Sequence, residues 1–465
     1  MTAGTDSAAA AHLLRADGQE DLAFAVWRPS AGQTRTTALV QELILPGPGD
    51  RSVHGNASFT AQYLERAIAT AAAKGGGLLL MHSHPCGRGW QGMSEDDIKA
   101  EQGNAAAVAG ATGLPLVGLT LAGNRAWSAR FWERTAPRTY PCTWCANVRV
   151  IGDALRISFN PQQSPTAQPN PRLVRTVSAW GDGAQATLAR LRIGVVGAGS
   201  VGALVGEALA RMGVRHVRVF DFDRVEEINL DRLSFATAAD VGGLKAPLLA
   251  ARLGDIATAE QFDVAAVEAA VYEPEAFRKA LDCDVLFSCV DRPWGRYVLN
   301  VIANAHLIPV FDGGIAARQN RLGELASADW RAHTVAPGRA CLECLGQYDP
   351  GAVQLEREGY LDDPAYIASL PTGHALKARE NVFTFAMSCA SFQLMQMLSM
   401  VVDPIGRANL GAQLYHFVGG ELEPRSHPEC RVGCPYPGLT AQGDHAELVV
   451  TGERPQAHFQ RTTPS

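Results

Sequence analysis

The sequence predicts an α/β protein in which a small N-terminal α/β domain precedes a doubly wound, mostly parallel sheet. Three observations predict it. Apolar runs alternate with Ala- and Leu-rich stretches of helical character along most of the 465 residues, the pattern of strands separated by helices. An apolar run at 192–196 leads straight into Gly197-Ala-Gly199-Ser-Val-Gly202, the glycine spacing of a tight turn from strand to helix. The stretch 160–172 reads NPQQSPTAQPNPR, and its four prolines deny both helix and strand, which marks the best boundary in the chain.

In chain order, 22–27, 39–45, 78–81 and 116–121 are apolar runs of strand length, and 62–74 and 97–111 are Ala-rich helical stretches. They compose a first domain over 1–135, followed by a connector and Pro-rich linker over 136–172. Strands are then expected at 192–196, 217–220, 285–289 and 309–311, with a helix at 201–212 and further helical stretches between them. This alternation specifies a Rossmann-like second domain over 173–440. The last residues, 441–465, are polar and aperiodic and read as a flexible tail.

Composition narrows the function classes. An apolar share of 47% with 19% charged residues describes a folded soluble protein. A net charge of −6 argues against coating nucleic acid or anionic lipid. Ten cysteines are too few for a secreted disulfide scaffold but enough for a metal site. Residues 1–20 lack the basic lead and apolar core of a signal peptide. The charge-free run 382–402 carries Ser388, Gln393, Gln396 and Ser399, which a lipid-exposed helix would bury at a cost, so it reads as a core helix. A cytoplasmic location is expected, with neither membrane nor nucleic acid as partner.

The first candidate site begins where the strand at 77–81 enters His82-Ser83-His84-Pro85. Residues two apart on an extended chain face the same way, so both imidazoles reach one metal. A Gly-rich loop, 86–93, then leads to Ser94-Glu95-Asp96-Asp97, an N-cap followed by acids. This puts Asp97 in the first helical turn, within swing of the same metal. Two His and one Asp, with a position left for water, suit catalytic zinc. A bland reading stands beside it: an isolated His-x-His is commonly nothing more, and Ser94 is then only a cap.

The whole string, HSHP, a Gly-rich loop and S-x-x-D, resembles the JAMM motif of the MPN metalloproteases, zinc isopeptidases that cut after the C-terminus of ubiquitin-like proteins. The loop here is one residue longer than is usual in that family. The resemblance implies zinc on His82, His84 and Asp97, and an oxyanion hydrogen bond from Ser94. It also implies a glutamate on an early strand as general base, taking a proton from water and passing it to the leaving amine. Glu20 is the candidate, and Glu42, also on a strand, is the alternative.

The second candidate site is the glycine turn. Amides at its helix start suit phosphate, and Asp221 closes the next strand nineteen residues after Gly202, where a carboxylate suits ribose hydroxyls. This pattern alone fits a nicotinamide dehydrogenase equally well. Asp223, Asn229, Arg232 and, thirteen residues later, Lys245 add an amide and two cations that hydride transfer does not require. The stretch resembles the ThiF/MoeB-type adenylating enzymes, which include the ubiquitin-activating family. That resemblance implies ATP, with Asp221 on the ribose and Asn229, Arg232 and Lys245 on the phosphates. It also implies magnesium held by Asp291, and Arg175 reaching into the site of a partner subunit, hence a homodimer.

Cys341-Leu-Glu-Cys344 and Cys430-Arg-Val-Gly-Cys434 form two chelating pairs that together suit a closed structural zinc. Cys142 and Cys145 read as unremarkable thiols, a chelating or redox pair being the alternative. Cys283, Cys289 and Cys389 lie in apolar runs and read as core. No thioester cysteine is evident over 346–381, and the apolar setting of Cys389 makes it a poor acceptor.

Together these readings point to a bifunctional enzyme of a bacterial ubiquitin-like conjugation system. One half would trim a modifier's precursor tail to expose its C-terminal glycine, or remove the modifier from targets, and the other would adenylate the exposed carboxylate, passing it toward a conjugating enzyme. The alternative pathway is activation of a sulfur-carrier protein for cysteine, thiamine or molybdopterin synthesis, with a sulfurtransferase as partner. An alternative of another class is a modifier-binding module with one inactive half.

Overall fold

The computed structural model describes residues 1–168, 170–371, 381–426 and 428–455. Pro169 of the expected linker and residues 456–465 of the expected tail lie outside the described residues. The chain divides into two units. One comprises Met1–Ser30, Thr36–Thr166 and Ala441–Ala446; the other comprises Ala31–Arg35, Ala167–Thr440 and the residues from Glu447 onward.

The first unit runs α1 (Ala3–Leu13), β1 (Leu22–Ala31), β2 (Thr36–Ile44), β3 (Arg51–His54), β4 (Asn56–Phe59), α2 (Ala61–Ala73), β5 (Gly77–His84), α3 (Glu95–Thr112), β6 (Leu116–Ala122), β7 (Trp127–Trp132), β8 (Cys142–Trp144), β9 (Asn147–Ile151) and β10 (Leu155–Phe159). Six strands form a mixed sheet in the order β2-β1-β5-β6-β7-β8, with β5 and β6 parallel. The central strands are unbroken apolar runs because both faces of the sheet are covered. Leu22, Phe24, Val26, Leu78 and Leu80 pack with Tyr63, Ala67, Ala105 and Val108 of α2 and α3. Ala23, Ala25, Trp27, Leu79 and Met81 pack on the other face with Ala9, Ala10 and Leu13 of α1. The period-two alternation of β1 and β5 thus assigns each side chain to one of two cores.

The connector expected over 136–172 needs correction, because β8, β9 and β10 occupy much of it and belong to the first unit. These strands are three to five residues long with mixed polarity. Pairing rather than pattern creates them, as where Cys142 and Trp144 lie opposite Trp132 and Arg130 of β7. The flexible tail is corrected too. Ala441 is buried in the first unit, and in the second the Gly452 N–H donates to the Tyr272 carbonyl at 2.9 Å. Backbone hydrogen bonds order this polar segment, and they leave no periodic trace in the sequence.

The second unit runs α4 (Val174–Arg190), β11 (Arg192–Val196), α5 (Ser200–Arg211), β12 (His216–Phe220), α6 (Lys245–Ile256), β13 (Asp263–Val267), α7 (Pro274–Leu281), β14 (Val285–Ser288), α8 (Pro293–Ala305), β15 (Val310–Gln319), β16 (Leu325–Val335), α9 (Pro350–Arg357), α10 (Pro364–Ser369), α11 (Phe383–Val402), β17 (Ala412–His416) and β18 (Glu421–Arg425). Its eight-stranded sheet has the order β13-β12-β11-β14-β15-β16-β17-β18. The first five strands are parallel and the last three pair antiparallel. The chain grows outward from β11 through β12 to β13, then returns to place β14 on the other side of β11. The carboxyl ends of β11 and β14 therefore flank a topological switch point, where doubly wound sheets bind ligands.

Among the described residues α11 is the one helix long and apolar enough to cross a membrane. Its polar side chains are spent on the sheet instead. Gln393 Nε2 donates to the carbonyls of Ser288 and Phe311 at 2.9 and 2.8 Å, and Thr334 donates to Gln396 Oε1 at 2.8 Å. Removing a buried donor strands its acceptors without water. Gln393→Leu is therefore expected to destabilise the fold by about 2 kcal/mol, read as a lower urea midpoint at unchanged slope.

Candidate functional site

In the first unit, β5 carries His82 and His84 on the face shared with Leu78 and Leu80, which is the face α3 covers. Ser94 caps α3. Its Oγ accepts from the Asp97 N–H at 3.2 Å, while the Asp97 carboxylate accepts from the Ser94 N–H at 2.7 Å. This capping box turns the Asp97 carboxylate toward the strand, 3.4 Å from His82 Nε2 and 3.5 Å from His84 Nε2. The two Nε2 atoms are 3.3 Å apart, and ligand atoms of all three residues lie within 4.8 Å of one another. Burial alone would raise the Asp97 carboxyl, but the two imidazoles outweigh it and hold the group well below the usual carboxylate range. Two nitrogens and one oxygen at this spacing suit a zinc ion with a position left for substrate.

Glu20 sits two residues before Leu22, which is paired with His82 in the antiparallel β1–β5 register. Extending that register by two residues sets Glu20 beside His84. Burial raises the Glu20 carboxyl, and His84 and His82 oppose the rise. Glu42 instead pairs with Lys74 on the surface. The structure thus brings Glu20, His82, His84 and Asp97 together and leaves Glu42 out. Sequence reasoning missed Thr120, which lies opposite His82 on β6 with Oγ1 at 3.3 Å from Nε2. Thr120 also accepts from the fully buried Arg130 at 2.7 Å, and Arg130 is paired with the buried Glu101. A lone Thr within the apolar run of β6 was the signal available.

In the second unit, Gly197 has φ 99° and Gly202 packs against it so closely that a Cβ at 202 would stand 1.8 Å from the Gly197 carbonyl oxygen. Only glycine at both positions lets α5 begin directly above the end of β11. Gly199 is the N-cap of α5 and supplies no side-chain cap, which leaves the first-turn amides for an anion. Asp221, at the end of β12, accepts from the Ala198 N–H at 2.6 Å and from the Asp223 N–H at 2.7 Å. Burial and the neighbouring Asp223 push its carboxyl up to about 6, with Lys245 opposing.

Lys245 Nζ stands 3.1 Å from Asp223 at the start of α6. Asn229 is buried, its Oδ1 accepting from the Glu226 N–H at 3.2 Å, and Arg232 lies one turn on, bonded to the Ile228 carbonyl. Asp291 is exposed on the loop after β14, whose Cys289 carbonyl a Cβ at Gly197 would meet at 2.5 Å. The glycine turn, Asp221, Asp223 and Lys245 therefore form one connected group, and the Asp291 loop borders it. Arg175 is exposed in the first turn of α4 and makes none of these contacts.

The cysteines separate cleanly. Cys341, Cys344, Cys430 and Cys434 converge within 4.8 Å of one another. Backbone amides of Cys341, Cys344 and Arg431 donate to the sulfurs of Cys430, Cys341 and Cys344 at 3.3–3.4 Å. Four sulfurs with N–H···S support suit a closed structural zinc. Cys389 is buried and pushed up to about 12 by burial, with Sγ 3.7 Å from the Arg331 carbonyl. Cys283 is likewise pushed up to about 12. Cys142 and Cys145 pack into opposite cores of the first unit.

A doubly wound sheet with a glycine turn and an aimed carboxylate at its switch point defines the class: a Rossmann-like α/β unit. The chain belongs to the ThiF family, whose profile matches residues 172–431, more than half of it. Among curated proteins it is 28% identical over 204 residues to a Drosophila willistoni ubiquitin-like modifier-activating enzyme 5, covering 40% of this chain and 46% of that protein. It is 32% identical over 161 residues to the SAMP-activating enzyme E1 of Haloferax volcanii, covering 35% of this chain and 55% of that protein. The chain spans about half the length of the curated relatives it matches. Among solved structures, E. coli MccB with ATP matches with a TM-score of 0.44 at 14% identity, covering 58% of this chain and 74% of that one.

The raised Asp221 carboxyl has a consequence for stability. Its charged form is disfavoured in the fold, so the associated stability is present below about pH 4 and is lost as pH rises through about 6. Between pH 4 and pH 7.5 the ligand-free chain is expected to lose about 1–2 kcal/mol of stability through this group. Asp221→Asn sets an NH2 against one of the two backbone donors and is expected to lack that pH-dependent loss, whatever its own stability at pH 4. Urea unfolding across that range measures it.

Proposed function

We propose that this chain activates the C-terminal carboxylate of a small ubiquitin-like or sulfur-carrier protein by ATP-dependent adenylation. The observation that carries the reading is the connected group of glycine turn, Asp221, Asp223 and Lys245 within a ThiF-family unit. The carboxylate attacks the α-phosphorus, forming an acyl–phosphate bond as the bond to pyrophosphate breaks. Such transfer needs positioning and charge neutralisation more than covalent help. Lys245, Arg232 and Asn229 supply cations and an amide for the phosphates, and Asp221 takes ribose hydroxyls. Asp291 would hold magnesium, which would supply further neutralisation. Arg175, exposed on α4, suits a role in the site of a partner copy in a homodimer.

We further propose that the first unit is a zinc isopeptidase acting on the same C-terminus, in a cytoplasmic bacterial conjugation pathway. His82, His84 and Asp97 would hold a zinc ion, which would supply Lewis acidity to water and to the scissile carbonyl. Glu20 takes a proton from the attacking water and hands it to the leaving amine. Ser94, whose Oγ accepts from the Asp97 amide, keeps its own hydrogen to donate to the developing oxyanion.

The sulfur-carrier pathway is favoured by one observation. Outside the four-sulfur cluster, Cys283 and Cys389 are buried and Cys289 is half-buried, and burial pushes all three thiols up. The adenylate then passes to a nucleophile supplied by another protein. Release of a thiocarboxylate with a sulfide donor, against a thioester on a conjugating enzyme, separates the two pathways.

Two sets of measurements test the proposal. With ATP, magnesium and a Gly-Gly-ended carrier, the chain is expected to catalyse pyrophosphate exchange, and Lys245→Ala to lower its kcat about 10²-fold; no exchange with a verified carrier refutes adenylation. Metal analysis is expected to find two zinc ions per chain. His82→Ala should lose one of them and Cys344→Ser the other, whereas Glu20→Gln should keep both and lose peptide hydrolysis about 10²-fold or more. Retention of hydrolysis in Glu20→Gln refutes its role as base.

A further inference from the structure

The first unit carries a pocket away from its metal-ligating group. Gln102 and Ala106 of α3 line it on one side, and Arg134, Pro137, Arg138 and Tyr140, from the segment joining β7 to β8, line it on the other. Its volume is about 480 Å³. The Gln102 Nε2 donates to the Tyr140 carbonyl at 3.5 Å, and the Tyr140 ring packs against the core under α3. The loop is thus tied to the helix and anchored in the core beneath.

Two arginines give the pocket its chemistry. Neither Arg134 nor Arg138 has an ion pair or hydrogen bond among the described residues, and no acid lines the pocket. Glu133, next in the chain, acts on Cys145, which packs in the core on the α1 side, so its charge falls on the other face of the sheet. Arg138 stands at φ 61° in a turn that the Thr139 N–H closes on the Ala136 carbonyl at 3.0 Å. Glycine takes that position without the steric cost an arginine meets. Strain of this kind persists where a side chain is wanted for something other than folding. On a chain of net charge −6, two unpaired cations at one pocket make a local field that attracts an acidic partner.

The pocket's surroundings narrow the ligand. α3 presents only its middle turns, whose amides are spent within the helix, so the backbone donors that phosphate sites draw on are not offered. The planar forks of two arginines match carboxylates instead. Gln102 and Ala106 follow Asp97 by five and nine residues, roughly 7.5 and 13.5 Å along the helix. An interface of standard size, about 800 Å² per partner, is wider than that span. A protein whose C-terminus lies on the metal-ligating group therefore has the reach to fill the pocket as well.

We propose that this pocket binds Asp or Glu side chains on the surface of the ubiquitin-like protein whose C-terminus the first unit cleaves. Arg134 and Arg138 take the carboxylates, and Gln102 and Tyr140 fix the loop that carries them. The partner's identity rests on the isopeptidase reading above, whereas the preference for carboxylate rests on the pocket alone. Recognition of the modifier's body is thereby separate from chemistry at its C-terminus.

Fluorescence anisotropy of a labelled hexaglutamate peptide, titrated with the full chain, tests the pocket. Binding is expected, and Arg134→Glu combined with Arg138→Glu should weaken it about tenfold or more. Arg321→Glu, which reverses an exposed arginine of the second unit, should leave it unchanged. Arg138→Gly suits the turn and removes one cation, so it should weaken the peptide about threefold at an undiminished urea midpoint. No binding by the unchanged chain, an equal loss in Arg321→Glu, or displacement by inorganic phosphate as effective as by unlabelled hexaglutamate overturns the pocket. With a modifier-ended substrate the double variant should raise KM about tenfold at unchanged kcat and zinc content; an unchanged KM overturns the modifier as the pocket's partner. A chain that binds hexaglutamate through these arginines but hydrolyses nothing overturns the isopeptidase reading and supports the carboxylate pocket.

Discussion

The second unit depends on one close contact, that of Gly202 against the Gly197 carbonyl. It lets α5 start with no spacer above the end of β11, at the point where the sheet changes direction. The neighbouring Ala198 amide is thereby presented to Asp221, and the Cys289–Asp291 loop is pressed against the same turn. A single methyl at either glycine would separate the helix from the strand. The carboxylate pushed up to about 6 is a cost of this arrangement, since a desolvated acid beside a second acid gains partners only from backbone amides and one lysine.

The first unit is organised by a different device, the period of two along β5. Leu78 and Leu80 fill the core under α2 and α3, and the same parity carried forward delivers His82 and His84 to the first turn of α3. Asp97 serves two ends there. Its carboxylate closes the capping box that starts the helix and also faces both imidazoles. Helix initiation and assembly of the ligand set are therefore one event, and neither His requires a long loop to reach its partner.

Buried polar groups set the character of both interiors. Gln393 and Gln396 turn a helix with the composition of a membrane span into a clamp on the sheet carbonyls of Ser288 and Phe311 and on the Gly411 carbonyl just before β17. Arg130 and Glu101, both fully buried, are paired with each other and bonded to Thr120 and Trp132 directly behind His82. Such groups contribute little net stability but strongly penalise any alternative packing that leaves one unpaired.

Much of this was legible in the sequence because it is local. The glycine spacing, the His-x-His parity, the S-x-x-D cap and the two short cysteine pairs each depend on residues a few positions apart, and backbone geometry converts such spacing directly into direction. The central strands were legible too, since burial on both faces demands unbroken apolar runs. What the sequence left open was decided by contacts between distant segments. Strand pairing made β8 from three residues, register separated Glu20 from Glu42, and opposite cores parted Cys142 from Cys145. Residues 447–454 are the clearest case, because rings and a carbonyl supplied by loops and a helix elsewhere in the second unit hold them. Composition by itself determined which chemistry the chain carries, and tertiary pairing decided which of those groups meet, because a hydrogen bond or ion pair across the fold has no period along the chain.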